Sequence, residues 1–276
     1  MSRPDVPALG RAELLADADR PGGWLLLVDR VRQSYVDLDD PAYLDFEYMQ
    51  AFADVLDALP PGRLAVTHVG GGACTLARYI AETRPGSPQI VLEPDQALTE
   101  LVRARLPLPR SARVRIRPVD GREGVQALAD GSADVLVVDA FAGGRVPGPL
   151  ATREFFADAA RTLRPAGVLM MNVADGRHLV YTRRLCAGLR TALPDLLVVA
   201  DSAVLKGRRF GNVVIAASRQ PLPAVEIRRA AAGANFPRTV HTGAAMETFV
   251  GTAEPLTDAE QLRSPEPPDE LWRVAD

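Results

Sequence analysis

Residues 63–82, RLAVTHVGGGACTLARYIAE, give the clearest indication of the fold. A run of apolar, β-branched residues ends at three glycines, and a helical pattern of apolar residues begins directly after them. A second apolar run, QIVL at residues 89–92, is followed by Glu93. This order of strand, glycine turn, helix, strand and acid is typical of nucleoside-binding α/β domains. The glycines let the backbone approach the ligand, and the acid accepts hydrogen bonds from the ribose hydroxyls.

The composition is that of an ordinary soluble protein. The chain has 276 residues, is 47% hydrophobic and 24% charged, and carries a net charge of −3. This balance gives no support for nucleic acid or a membrane surface as a partner. Lys206 is the single lysine, so the lysine that a P-loop needs after its glycines is absent. The N-terminal stretch MSRPDVPALGRAELLADADR has acids and no apolar core, unlike a signal peptide, so we expect a cytoplasmic protein.

The cysteines and histidines show no metal-ligand spacing. Cys74 and Cys186 are far apart in sequence, and His68, His178 and His241 do not cluster with them. We therefore expect buried, reduced thiols and no metal.

The apolar periodicity divides the chain into three segments. Residues 1–60 predict a small β-element of two or three strands and a lead-in helix. Residues 61–220 alternate strand and helix patterns, which predicts a doubly wound, mainly parallel α/β sheet of Rossmann-like type. The last two strands are joined by the short segment KGRRFG, residues 206–211, so we expect them to pair antiparallel, as in class I S-adenosylmethionine-dependent methyltransferases. Residues 221–276 predict one helix and an irregular tail.

Ligands of parallel sheets bind beyond the carboxyl ends of the strands, where this sequence places glycines, acids and Asn172. The binding candidates at these ends are Gly70, Gly71, Gly72, Glu93, Asp120, Gly121 and Asp139. Two alternatives stay open, because an aspartate here also caps the following helix and a glycine also permits a positive φ. Thr75 stands where G-x-G-x-x-G requires its third glycine, which disfavours a nicotinamide cofactor.

The order of these motifs resembles the polyamine aminopropyltransferases (spermidine synthases), in a divergent bacterial form, over roughly residues 28–218. VDRVRQS at 28–34 is similar to a strand whose glutamine contacts the nucleoside, which implies that role for Gln33. THVGGGACTL at 67–76 is similar to the family's GGGDGG segment. VLEPD at 91–95 and PVDGREGV at 118–125 are similar to the segments whose acids bind ribose and adenine, here Glu93 and Asp120. The resemblance implies S-adenosylmethionine, or its decarboxylated form, as co-substrate.

Two positions depart from the family pattern. DVLVVDAFAGG at 134–144 is similar to the segment D-V-I-I-V-D-x-x-D-P, but the second aspartate, which takes the proton of the attacking amine, is replaced by Ala142. Ala73 stands where GGGDGG has an aspartate that pairs with the ammonium of the decarboxylated donor. The loss of that carboxylate leaves room for intact S-adenosylmethionine or for methylthioadenosine. The family's amine-side Tyr-His pair has no clean counterpart in DFEYMQ at 45–50, although Glu47 and Tyr48 lie nearby.

Three interpretations follow. The first, which we favour, is a spermidine synthase-like enzyme that transfers an aminopropyl group to a small-molecule amine, with Asp139 or Asp175 as base. The second is an S-adenosylmethionine-dependent methyltransferase that acts on a small nucleophile, and the third is a nucleoside-binding protein without catalysis. His178 is the histidine candidate for a general base. The resemblance also implies a homodimer, with Trp24 and Trp272 as candidate interface anchors.

Overall fold

The structure of the protein is a computed structural model that describes residues 12–109 and 111–268. This part of the chain contains a small antiparallel sheet and a larger sheet covered by helices on both faces. Trp272, one of the two candidate interface anchors, lies outside the described residues.

The strands are β1 (Ala12–Ala16), β2 (Gly23–Val28), β3 (Val31–Asp37), β4 (Val66–Val69), β5 (Gln89–Leu92), β6 (Val114–Arg117), β7 (Ala133–Val138), β8 (Leu163–Asp175), β9 (Asp195–Ala200), β10 (Gly211–Ser218) and β11 (Thr239–Thr242). The α-helices are α1 (Glu47–Ala58), α2 (Thr75–Thr83), α3 (Gln96–Arg105), α4 (Gly121–Gln126), α5 (Arg153–Thr162), α6 (Val180–Leu189), α7 (Ser202–Leu205), α8 (Ala224–Gly233) and α9 (Ala244–Val250).

The N-terminal β-element is a three-stranded antiparallel sheet in the order β1-β2-β3. One of its faces covers an apolar cluster that includes Leu26, Val36 and Val102. Trp24, the other candidate interface anchor, is half-buried and packs against this same cluster. Its indole therefore contributes to the fold of its own chain.

The main sheet has eight strands in the order β11-β9-β10-β8-β7-β4-β5-β6. Strands β8, β7, β4, β5 and β6 pair in parallel. Strand β10 runs antiparallel to both β8 and β9, and this confirms the expected parallel core with an antiparallel end. Strand β11 pairs with β9 inside the segment for which an irregular tail was expected. Its four residues, TVHT, are too few for a periodic pattern, and its hydrogen-bond partner lies some forty residues back in the chain.

The core lies on both faces of the main sheet. Along β7, Val135 and Val137 face the cluster formed with α1, α2 and α8, whereas Leu136 and Val138 face the cluster formed with α5 and α6. Successive side chains of a strand point to opposite faces, so a strand buried on both sides has a continuous apolar sequence. The run ADVLVV therefore forms a central strand.

The described residues contain no helix that combines the length and the apolar character needed to cross a membrane. Within the same ranges, no group of three or more His, Cys, Asp and Glu side chains is arranged to hold a metal ion.

Candidate functional site

The carboxyl ends of β4, β5 and β7 meet at one edge of the main sheet. The backbone N–H of Gly70 donates to the carbonyl of Leu92 over 3.0 Å, and that of Asp139 donates to the carbonyl of Val69 over 2.9 Å. These bonds continue the parallel ladders by one residue beyond each strand. The glycine turn, Glu93 and Asp139 are consequently neighbours, as expected from their places at strand ends.

The glycine turn has two positions that only glycine fits. Gly70 has a φ of 96°, and a Cβ on it would overlap the carbonyl oxygen of Asp139. Gly72 has a φ of 47°, and a Cβ there would overlap the hydroxyl of Ser34. The turn thus passes close to both β3 and the end of β7, which keeps its backbone N–H groups at the sheet edge.

Glu93 ties the glycine turn to the turn that precedes α3. Its Oε2 accepts the backbone N–H of Gly71 over 2.8 Å, and its Oε1 accepts that of Asp95 over 2.9 Å. Burial raises the pKa of Glu93, and the two backbone donors oppose that rise. Each carboxylate oxygen has a second lone pair, so the group can also accept hydrogen bonds from two ligand hydroxyls.

The N-terminal sheet reaches the glycine turn through β3. The Ser34 hydroxyl accepts the backbone N–H of Ala73 over 3.2 Å, and the Thr75 hydroxyl donates to the carbonyl of Tyr35 over 2.9 Å. These two contacts hold the preceding residue, Gln33, beside the turn, where its side chain lines a cavity.

Asp120 caps α4. Its Oδ1 accepts the backbone N–H of Arg122 over 2.8 Å and that of Glu123 over 3.3 Å. The next residue is Gly121, and a Cβ at this position would overlap the side chain of Val69. Asp120 therefore does cap α4, through its Oδ1. It also lies at the same sheet edge as Glu93, because β6 pairs with β5.

Asp139 follows β7 and is held by two neighbours. The amide nitrogen of Asn172 donates to its Oδ1 over 2.9 Å, and the Tyr48 hydroxyl also interacts with the carboxylate. Burial raises the pKa of Asp139 to about 6, and the interactions with Asn172 and Tyr48 limit the rise. A carboxyl group with this pKa is mostly ionised at neutral pH and accepts a proton more readily than an exposed aspartate does.

A cavity of about 310 Å³ lies beside Asp139. Tyr48 and Asn172, the two residues that contact the Asp139 carboxylate, are part of its lining. The other uncharged polar side chains that line it are those of Gln33 and Asn212. Three phenylalanines, Phe46, Phe141 and Phe210, contribute to its apolar surface. The charged lining residues are Arg32, Asp45, Glu47, Asp201, Arg209 and Arg238.

Two amide oxygens of the cavity have unused hydrogen-bonding capacity. The Oδ1 atoms of Asn172 and Asn212 are buried and have no hydrogen-bond partner among the residues that the structure describes. A buried acceptor without a donor costs about 1–3 kcal/mol, so such atoms point to a ligand or water in the site. Both oxygens accept hydrogen bonds and suit a ligand that donates N–H groups.

The two departures from the family pattern have different surroundings. Ala73 is fully buried and packs with Leu26, Val36 and Val102 in the apolar cluster beneath the N-terminal sheet. Its methyl group is part of that cluster, and the expectation that the alanine leaves room for a donor carboxylate stays a prediction. Ala142 is exposed in the tight turn that follows Phe141, and it places no carboxylate at the cavity.

Two catalytic candidates, Asp175 and His178, are not among the residues that line the cavity. Asp175 is 2% exposed, and it accepts the backbone N–H of Gly176 over 2.7 Å and the N–H and hydroxyl of Thr182, each over 2.8 Å. This network anchors the start of α6 and favours a structural role. His178 is exposed, has a φ of 71° and is not among the cavity-lining residues.

Several residues of the site are not indicated by the sequence. The sequence places Asn172 at a strand end but indicates no role for it, and it gives no role to Asp201 or Asn212. One signal was available, since an antiparallel last strand must begin at the edge where the parallel strands end. The start of β10, at Gly211, lies at that edge for this reason.

No family model matches the chain. Individual protein sequences do match it. The polyamine aminopropyltransferase of Chromobacterium violaceum is 30% identical over 224 residues, which is 79% of this chain and 80% of that protein.

Comparison with solved structures agrees. The crystal structure of a probable spermidine synthase from Corynebacterium glutamicum superimposes with a TM-score of 0.84 at 34% identity, over 90% of this chain and 92% of that one. Human methyltransferase-like protein 13, in complex with SAH (S-adenosylhomocysteine), has a TM-score of 0.56 at 21% identity, over 77% of this chain and 96% of that one. The second likeness concerns the fold, which is the Rossmann-like fold that the sequence predicts.

Proposed function

Because the chain belongs to the polyamine aminopropyltransferase family, we propose that it transfers an aminopropyl group from decarboxylated S-adenosylmethionine to an amine. One observation carries this proposal. The carboxylate of Asp139 lies between the glycine turn and the cavity, and it is held there by Asn172 and Tyr48. A base in this position meets a donor bound at the turn and an acceptor bound in the cavity.

The nucleoside part of the donor binds at the sheet edge in this proposal. Glu93 accepts hydrogen bonds from the ribose hydroxyls, for which its carboxylate keeps free lone pairs. The glycine turn at residues 70–72 lets the donor approach the backbone, while Asp120 and Gln33 contact the nucleoside from either side. Human methyltransferase-like protein 13, which has the same fold, is in complex with S-adenosylhomocysteine, a ligand of the same chemical class.

The reaction joins the two sites. The amine nitrogen attacks the methylene carbon next to the sulfonium, a C–N bond forms, and the C–S bond breaks. The sulfur keeps the electron pair of that bond, so the sulfonium becomes the neutral thioether methylthioadenosine. The nitrogen attacks as the neutral amine, after the carboxylate of Asp139 has taken one proton from its ammonium form, and this proton passes to solvent when the products leave.

Asp139 replaces the carboxylate that Ala142 lacks. The D-x-x-D pattern provides two acids, and here only Asp139 remains. An alkylammonium with a pKa of about 10.4 has no free lone pair, so it must give a proton to an acceptor before its nitrogen can form the C–N bond. Burial raises the pKa of Asp139 to about 6, which makes this single carboxylate a better proton acceptor than an exposed aspartate.

The test is product identification. The protein is incubated with decarboxylated S-adenosylmethionine and a panel of primary amines, and methylthioadenosine is quantified by mass spectrometry. We expect methylthioadenosine from the wild type and a loss of at least about 100-fold in Asp139→Asn, the range typical of a general base. The matched control is Asp130→Asn, because Asp130 is 79% exposed and lies on the surface.

Other outcomes distinguish the alternatives. Methylthioadenosine formed equally fast by Asp139→Asn would remove Asp139 as the base. S-adenosylhomocysteine formed from S-adenosylmethionine, without methylthioadenosine from the decarboxylated donor, would identify a methyltransferase. Nucleoside binding with neither product would identify a protein without catalysis. We further propose that the protein is a cytoplasmic homodimer, which light scattering and cell fractionation test.

A further inference from the structure

Arg209 lies between two carboxylates at the more exposed part of the cavity. Its Nη2 atom is 3.5 Å from Oδ2 of Asp201 and 3.7 Å from Oε2 of Glu47. The two acids belong to different elements, since Glu47 begins α1 and Asp201 follows β9. All three side chains line the cavity.

This contact adds little to the stability of the fold. The two distances exceed those of hydrogen bonds, and the side chains of Arg209, Glu47 and Asp201 are 48%, 46% and 35% exposed. Exposed ion pairs of this kind contribute about 0–1 kcal/mol. Asp201 also has its own structural role, because its Oδ1 caps α7 through the backbone N–H of Ala203. The guanidinium is therefore a side chain that can be replaced without loss of the fold.

The guanidinium occupies the site that Glu47 and Asp201 would otherwise offer to a cation in the cavity. Two carboxylates on different elements around one cavity attract a cation, and the chain supplies that cation itself. Arg238, another arginine of the lining, is neutralised by Asp54 at 2.6 Å, with side chains that are only 4% and 13% exposed. Arg32 has no ion pair within residues 12–109 and 111–268, so it adds further positive charge.

The rest of the cavity suits a single amine group. The buried end offers the acceptors of Asn172 and Asn212 near Asp139, and phenylalanines contribute apolar surface to the lining. A chain with one ammonium would place it at the buried acceptors and its uncharged end toward Arg209. A diamine would bring its second ammonium toward Glu47 and Asp201, where it competes with the guanidinium of Arg209 for the same two carboxylates and is repelled by it.

We propose that Arg209 is a specificity-determining residue that shifts the preference of this cavity from diamines toward amines without a second cationic end. This inference rests on the proposed function, because it concerns the acceptor of the same reaction. It differs from that function in naming the charge class of the acceptor and the residue that selects it.

The experiment compares two acceptors of equal length, butylamine and the diamine putrescine, in three variants. In Arg209→Gln, the ratio of kcat/KM for putrescine to that for butylamine should rise about tenfold, because one positive charge near the second ammonium is removed. Arg209→Lys should keep the wild-type ratio, since it keeps the charge. Arg208→Gln is the matched control, because Arg208 is exposed and is not among the lining residues. The rise in Arg209→Gln should become smaller at high salt.

The outcomes separate this inference from the function on which it rests. Turnover with an unchanged ratio in Arg209→Gln would overturn the role of Arg209 and leave the aminopropyl transfer intact. Absence of methylthioadenosine with either amine in every variant would refute the proposed function. In that case calorimetric titration of the two amines into protein saturated with methylthioadenosine decides the inference. A shift of the affinity ratio in Arg209→Gln supports it, and no binding or an unshifted ratio overturns it.

Discussion

The side-chain nitrogen of Asn172 donates to Oδ1 of Asp139 over 2.9 Å, and this bond fixes the orientation of the Asn172 amide. The amide oxygen of Asn172, which is 2% exposed, then has no partner among the described residues. A carboxylate and an amide oxygen thus lie side by side, the oxygen on a residue of the cavity lining and the carboxylate next to it, and both accept hydrogen bonds. This pair is the basis on which we propose an amine acceptor beside a donor bound at the glycine turn.

The rate of the reaction should depend on the ionisation of Asp139. Only the ionised carboxylate accepts a proton, and burial raises its pKa to about 6. We expect kcat/KM for the donor to rise between pH 5 and 7 with an apparent pKa of about 6. The rise at higher pH that comes from the amine itself is separate, since alkylamines titrate near about 10.4. A profile without the limb near pH 6 would contradict this role.

The stability of the protein should respond to Asp139 with a defined sign. The folded pKa of Asp139 is about 6, above the ordinary value of 3.8, so the folded state holds the proton more tightly than the unfolded state. The favourable contribution of the protonated group is complete below about pH 4 and is lost as the pH rises through about 6. Asp139→Asn, which cannot ionise, should therefore be more stable than the wild type at pH 7 and similar to it at pH 4.

The size of this difference is on the order of 1–2 kcal/mol at pH 7, after allowance for solvent screening at the cavity wall. Thermal unfolding at the two pH values measures it. Equal differences in melting temperature at both pH values would mean that the charge of Asp139 is not the cause.

Glu93 should be required for nucleoside binding. In Glu93→Gln one side-chain atom becomes a donor and faces a backbone N–H of Gly71 or Asp95, and the negative charge for the ribose hydroxyls is lost. We expect the dissociation constant for methylthioadenosine to increase about 10- to 100-fold, the value of charge-assisted hydrogen bonds. Isothermal titration calorimetry measures it. Glu100→Gln is the control, because Glu100 is exposed on α3, and an equal loss in both variants would show that Glu93 has no special role.

Gly70 should not tolerate a side chain. A Cβ at this position combines a positive φ of 96° with overlap of the Asp139 carbonyl oxygen. Gly62 has a φ of 114° but no atom within 4 Å of such a Cβ, so Gly62→Ala carries the backbone strain alone. We expect Gly70→Ala to lower the free energy of unfolding by about 1–3 kcal/mol more than Gly62→Ala does. Denaturant unfolding checks this, and equal losses would show that crowding against Asp139 is unimportant.

Asp175 should affect stability and not the chemical step. Its carboxylate accepts three hydrogen bonds from Gly176 and Thr182 inside the protein. Asp175→Asn removes part of this network, so we expect a loss of about 1–3 kcal/mol in the free energy of unfolding. The kcat of the folded protein should stay near that of the wild type. A well-folded variant with greatly reduced kcat would instead restore Asp175 as a catalytic residue.

The main sheet and the residues at its strand ends follow from local features of the sequence. Apolar runs buried on both faces and glycines between strand and helix are local signals, and parallel strands necessarily end at one edge. The positions of Gly70, Glu93 and Asp139 at that edge follow from these signals alone. The antiparallel pairing of β9 and β10 was also predictable, because the segment between them is too short for a parallel crossover.

The use of the side chains depends on contacts that form only in the folded chain. Ala73 belongs to an apolar cluster formed with Leu26 and Val36, which lie in the N-terminal sheet. Asp175 is a catalytic candidate by sequence, yet Gly176 and Thr182 donate hydrogen bonds to both of its oxygens. Arg209 contacts Glu47, and Asn172 contacts Asp139, although the residues of each pair are far apart in the chain. Such contacts depend on packing between distant elements, and local periodicity contains no information about them.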